Sequence, residues 1–290
     1  MRLIGALESG ESPTSEEYSD ASTSLNMMLK AWQNDGLKLW LTKEAVLIPS
    51  LGTEEYLLGS AHCSLDMKKT EMRVAGIALD TILEVDSTSD MTKGDYIGVV
   101  QDDGTTHWTT VKSITDSDTV VLTTGLVSAV SVDNHVYSYT TKLERPHTLL
   151  EAYRRDFDTR EDVSMTSMSR TEYYNLNDKD GQGTPVNYYY DPQITNSVLH
   201  VWNTANSDFC KNNVFVLLVK QSFDTMTAGT DSFECPPEWY EAIAYGLAVR
   251  LAPQNFYPIK ERKLLMAEAE QYKDLAMSPA EGSIFLQPAS

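Results

Sequence analysis

The stretch PTSEEYSDASTSLNMMLKAWQNDGLKLW, from Pro13 to Trp40, sets Tyr18, Ala21, Leu25, Met28, Leu29 and Trp32 on one stripe of a 3.6-residue helix. A helix over residues 14–35 is predicted. Thr14 with Glu17 three residues on makes a capping-box pattern, and Gly36 supplies a left-handed stop. Burying such a stripe is worth about 10 kcal/mol gross, yet an isolated helix of this length is marginal in water, so the chain must supply an apolar partner.

That partner is read near the C-terminus, where PPEWYEAIAYGLAVRLAP carries Trp239, Ile243, Leu247 and Leu251, or alternatively Ala242, Gly246 and Ala248, as one apolar face. Pro237 suits a first turn and Pro253 ends the segment. A second helix is expected over residues 258–277, with Leu264, Leu265, Ala269, Tyr272 and Leu275 facing inward. Leu25, Leu29 and Trp32 should therefore pack on Trp239, Ile243 and Leu247 as the core of a helical bundle. Residues 2–7 read as the last turns of a short apolar helix.

Between these helices the periodicity changes to two. Strands are expected at 37–41, 45–48 and 56–58, then at 81–85, 96–100, 107–111, 119–123 and 136–139, with Asp102-Asp103-Gly104 as a hairpin turn. Short strands at this spacing without helical pattern predict a small antiparallel barrel or sandwich over residues 71–140. A second β-rich section over 143–223 holds strands at 198–202 and 214–219 and the run Tyr188–Tyr190, with a short helix capped by Ser169 and Glu172 before it. The fold class expected is α+β: a helical bundle with inserted antiparallel β modules. Residues 1–70 and 141–277 form the expected core, 71–140 an inserted β-barrel-like domain, and 278–290 an extended C-terminal tail.

Hydrophobic residues make up 41% and charged residues 22% of the 290, which suits soluble globular domains and gives no run of about 18 apolar residues for a membrane span. The opening MRLIGALESGES is broken by Glu8 too early for a signal peptide, so synthesis and use in a cytosol are expected. Cys63, Cys210 and Cys235 have no paired spacing and are expected as free thiols. A formal net charge of −19 opposes adhesion to phosphate backbones and anionic lipid.

Four blocks in order carry a resemblance: RLIGALESGESPTSEE with LNMMLKAWQNDGLKLW; ERPHTLLEAYRRD; SRTEYYNL with GQGTPVNYYYDP and LHVW; and PPEWYEAIAYGLAVRLAP. Together they make the chain similar to the head-to-tail adaptor proteins of tailed bacteriophages, also called tail accessory factors or packaged-DNA stabilisation proteins. The resemblance implies a helical adaptor bundle, a structural virion protein that is not an enzyme, and no cofactor. It implies a ring of twelve copies under the portal, which helps retain packaged DNA and offers the tail its docking surface. The implied partners are the portal protein, neighbouring copies, a tail or nozzle protein, and genomic DNA passing through the lumen without specific binding. No membrane partner is implied. Its place is the portal vertex of the virion, after synthesis in the host cytoplasm. Ile284, Phe285 and Leu286, an apolar triplet in an otherwise broken tail, become the candidate portal-docking residues. The resemblance does not cover residues 71–140, and the first helix begins later than it implies. The alternative expectation is a carbohydrate- or fibre-binding module anchored by a helical base.

Other constellations point to no catalytic, cofactor or metal residue. Residues 177–183, NDKDGQG, suggest a calcium loop, but neither glycine register puts ligands at the required positions, and a turn is the better reading. His200 lies in an alternating apolar strand, without the third group that would orient it toward Cys210 as a nucleophile pair. His62-Cys63 lacks a second ligand pair for zinc. Trp108 and Tyr188–Tyr190 have no Lys or Arg interleaved, so strand packing is expected of them rather than stacking on bases or sugars.

Overall fold

A computed structural model describes residues 1–8, 10–34, 42–156, 159–221 and 235–277. The expected stop at Gly36, the strand at 37–41 and the docking residues Ile284, Phe285 and Leu286 lie outside the described residues. The fold is mixed α+β, mostly strands in several sheets, with five α-helices among the described residues: α1 (Ser15–Asn34), α2 (Arg170–Tyr174), α3 (Ser207–Asn212), α4 (Tyr240–Leu251) and α5 (Ile259–Met277). No helix among them is long and apolar enough to cross a membrane.

The chain divides into two compact units, Met1–Leu41 with Ser222–Ser290, and Thr42–Gln221. This differs from the expected division, because the β segments assigned to the helical core group instead with residues 71–140. The physical reason is a shared core, described below.

In the first unit α1 starts at the predicted cap: Thr14 N–H donates to Glu17 Oε2 at 2.8 Å and Glu17 N–H to Thr14 Oγ1 at 3.3 Å. Its stripe then meets α4 and α5. Met28, Leu29, Trp32, Trp239 and Ala242 are buried together, with Leu25, Ile243, Leu247 and Tyr272 packed against them. Residues 2–4 form one 3-10 turn rather than the end of an α-helix, and Ile4 is buried with Ala248, Leu251 and Leu265.

In the second unit the strand Asn213–Lys220, NVFVLLVK, is buried on both faces. Alternate side chains of a strand point to opposite sides, so Phe215, Leu217 and Val219 enter one cluster while Val214 and Val216 enter another. This strand lies inside a five-stranded antiparallel sheet, between Thr148–Asp156 and Thr42–Leu47. On one face the sheet packs on a four-stranded sheet built from Thr166–Ser167, Asn187–Asp191, Ser197–Trp202 and Glu55–Leu58, which contributes Tyr56, Leu58, Tyr188, Leu199 and Val201. On the other face, Val214, Val216 and Ile48 share a cluster with Val100 and Tyr137 of a six-stranded sheet.

That six-stranded sheet runs from Lys68–Glu71 through His135–Tyr139, Tyr96–Val100, Thr106–Ile114 and Thr119–Leu122 to Ile82–Glu84. Its two edges meet: Met72 bridges Val85, Arg73 N–H donates to Glu84 O at 2.9 Å, and Asp86 N–H to Glu71 O at 3.0 Å. The curled sheet encloses its own core of Met72, Leu83, Val85, Ile97, Val99, Val111, Leu122 and Val136. Closing in this way pairs the backbone groups that open edge strands would expose.

Candidate functional site

The six helix-core residues of the sequence reading come together. Leu25, Leu29, Trp32, Trp239, Ile243 and Leu247 belong to one cluster, with the Trp32 and Trp239 rings 6.2 Å apart and tilted at 54°. Gly246 lets α4 approach α1, since a Cβ there would sit 2.8 Å from Met28 Sδ and 2.9 Å from the Trp32 ring. Lys273 reaches over the Trp32 ring from α5 at 5.3 Å. Leu264 and Leu275, expected inward, are instead exposed, each at 63%. Leu265, Ala269, Tyr272 and Ala276 form the inward stripe of α5, and Leu264 and Leu275 lie about 100° round the helix from its centre.

A second group of side chains gathers where α2 crosses the four-stranded sheet. Ser169 caps α2 through a full capping box with Glu172, whose carboxylate accepts from the Ser169 N–H at 2.7 Å and is held below the usual range by that bond. The helix so fixed buries Tyr173 and leaves Tyr174 half-exposed at 53%. Tyr189 and His200 are cross-strand partners with rings stacked at 5.3 Å and 13°, and Tyr173 leans over His200 at 4.6 Å. Lys179 Nζ lies 5.6 Å from the Tyr173 ring and 5.9 Å from that of Tyr174, and the Arg170 guanidinium lies 5.6 Å from the Tyr174 ring.

His200 Nδ1 is buried 3.3 Å from Glu55 Oε1, but the two do not meet hydrogen-bond geometry, so the nitrogen has no bonded partner. Burial pushes the His200 pKa down, against the opposing pull of Glu55, Asp191 and Glu54. The arrangement offers an aromatic face flanked by two cations, suited to stacking and to anionic or hydroxyl-rich groups. The sequence reading expected strand packing here because no cation interleaves the tyrosine run. Lys179 and Arg170 arrive from α2 and the loop after it, a juxtaposition with no signal in local spacing.

The remaining candidates take part in the framework. In the 177–183 loop, Trp202 Nε1 donates to Asp178 O at 2.8 Å and Thr204 N–H to Gly181 O at 3.1 Å, so these carbonyls brace the adjoining strand. Cys210 lies in the sandwich core, its thiol pushed up to about 12 by burial. Cys63 is fully buried in the same core, and burial pushes its thiol up as well. His62 stacks flat on Trp108 at 3.7 Å and shares a 2.7 Å hydrogen bond with the Tyr139 hydroxyl. Burial, and then the Lys142 charge, lower its pKa to about 4.

No family model matches the sequence. Among curated proteins, the chain is 20% identical over 249 residues to the "Probable dipeptidyl-aminopeptidase B" of Talaromyces marneffei, a match that covers 78% of this chain and 27% of that protein. The chain thus spans about a quarter of the length of the relative it matches. The expectation that the chain is not an enzyme is corrected by this match, because the name of the matched protein is that of a peptidase.

Proposed function

We propose that the chain is a head-to-tail adaptor of a tailed bacteriophage: a virion component at the portal vertex that assembles as a ring of copies under the portal, helps retain packaged DNA and offers the tail its docking surface. The observation that supports this reading is the packing of α1 with α4 and α5 in one helical unit. Helices α1, α4 and α5 share one apolar cluster, and the described residues of 42–221 form a second unit made mostly of strands. A helical unit together with a β-rich unit supports the reading of a bundle with β insertions that the four sequence blocks imply.

In this reading the partners are the portal protein, neighbouring copies in a twelvefold ring, a tail or nozzle protein, and genomic DNA in the lumen. The net charge of −19 suits a wall past which DNA slides without being held. Residues 278–290, with Ile284, Phe285 and Leu286, dock on the portal. Ending the chain after Ser278 should leave thermal stability within about 1 kcal/mol while abolishing co-sedimentation with portal rings. A loss of several kcal/mol, or co-sedimentation that survives, would refute the docking role.

One observation favours a second reading, in which the chain binds a carbohydrate or a fibre protein: the half-exposed Tyr174 flanked by Arg170 and Lys179. Saturable glycan binding that is lost in Tyr174→Ala would favour it over the adaptor reading.

A further inference from the structure

Helix α2 and the turn after it, residues 169–176, lie on the four-stranded sheet between two fixed points. Just before them Met168 N–H donates to Tyr188 O at 2.7 Å, and just beyond them Trp202 Nε1 donates to Asp178 O at 2.8 Å. Between these ties Tyr173 is the one buried residue. A five-residue helix is not stable by itself, so α2 stays down chiefly through that ring. Segments held by so few buried contacts open most readily in a folded protein.

The ring of Tyr173 rests on a titratable side chain. Tyr189, His200 and Glu55 stand side by side, in register on three neighbouring strands. Tyr173 lies over this row, 4.6 Å from the His200 ring and 5.8 Å from that of Tyr189. His200 is 4% exposed, and its Nδ1 has no bonded partner, since Glu55 Oε1 at 3.3 Å is out of hydrogen-bond geometry. An imidazolium here would be a buried cation whose Nδ1 is poorly bonded, a costly state. Lifting α2 would let water reach it.

We propose that α2 is an acid-released flap: a proton on His200 lifts Tyr173 from the sheet, and residues 169–176 swing out between Met168 and Asp178. The charged groups around the ring pull in opposite directions. Glu55, Glu54 and Asp191, from the strands on either side of His200, favour the imidazolium. On the flap side, Lys179 over the Tyr173 ring and Arg170 beside Tyr174 oppose it. Burial outweighs the three carboxylates and sets the His200 pKa below its ordinary value of 6.5. A value lowered by docking means that docking is at full strength above pH 6.5 and weakens as pH falls below it. Arg170 and Tyr174 ride on the flap while Lys179 lies beyond the second tie, so opening also takes apart the aromatic face with its two cations.

The test uses the full chain without portal, so its failure leaves the adaptor reading standing. Amide hydrogen exchange is measured at pH 7.5 and 5.5, with rates corrected for their intrinsic pH dependence. Protection of residues 171–176 should fall severalfold at the lower pH, to a limit of about tenfold for one linked proton. His200→Phe keeps a ring under Tyr173 but cannot titrate, so its protection should be the same at both values. Tyr173→Ala removes the docking ring, so protection should be low at pH 7.5 already and insensitive to pH. It serves in place of His200→Phe if circular dichroism shows that variant unfolded. Unchanged protection in the wild type overturns the proposal, as does an equal loss in wild type and His200→Phe. So does protection that rises at pH 5.5, for then the imidazolium and Glu55 clamp the flap shut.

Discussion

Two glycines decide how closely elements approach, and in both the steric effect opposes the usual propensity. At Gly246, replacement by Ala should favour the helix by about 1 kcal/mol on propensity alone. The new Cβ would, however, lie 2.8 Å from Met28 Sδ and 2.9 Å from the Trp32 ring, and both side chains are buried. Met28 can swing aside; the indole cannot without parting from Trp239. Gly246→Ala should therefore destabilise the helical unit by a net ~1–2 kcal/mol, read from denaturant unfolding followed by tryptophan fluorescence. A stabilised variant would show that the α1–α4 approach is looser than described.

Gly98 pairs across the strand with Trp108, whose ring lies over it at 2.6 Å from an added Cβ. The ring so laid down is the one on which His62 stacks. A histidine whose folded-state pKa falls below its free value contributes fully above the free value of 6.5 and loses that contribution as pH falls toward about 4. The wild type should thus lose more stability between pH 6.5 and 4 than His62→Phe. The phenylalanine keeps the stack and gives up only the bond to Tyr139, worth about 1 kcal/mol. Equal pH slopes in the two proteins would contradict the assignment.

Among the elements, the inserted β section yields the clearest prediction. The sequence reading treats residues 71–140 as a separate insertion, yet Val100 and Tyr137 are buried against Ile48, Val214 and Val216 of the five-stranded sheet. Deleting 71–140 and joining the ends through a short Gly/Ser linker should spare the helical signal but cost the remaining β layers several kcal/mol. The uncovered Ile48, Val214 and Val216 should then bind a hydrophobic dye. Unchanged β-sheet stability would restore the insertion to independence.

What was legible follows from periodicity. The stripe and cap of α1 and the alternating strands at 96–100, 119–123 and 136–139 are read from local pattern, and they form with ends shifted by a residue or so. The strand Thr148–Asp156 has no such pattern. LLEAYRR is rich in residues that favour helices, and a bulge between Leu149 and Glu151 breaks its alternation, so only pairing along Asn213–Lys220 makes it a strand. The outward turn of Leu264 and Leu275 is equally hidden, because two apolar stripes overlap on α5 and only packing shows which one α4 covers. The group around His200 is assembled by tertiary structure from three segments, and of these only the Ser169–Glu172 cap is written locally.

At the scale of the whole molecule there are two compact units, one helical, with α1, α4 and α5 in one apolar cluster, and one β-rich, of residues 42–221, and the adaptor reading draws on both. Duplex DNA should bind weakly or not at all, since the net charge of −19 repels it. Tight, steeply salt-dependent retention of duplex on a filter would contradict the proposed lumen role. The central claim is that copies of this chain complete a ring on a portal, and the mass of the complex formed with portal rings of the same virion tests it most directly. Titrated against those rings, the protein should add until one fixed stoichiometry matching the portal's own copy number is reached, with no further mass gained in excess. Free protein at every ratio, or a mass that keeps rising without a symmetric end point, would contradict the account.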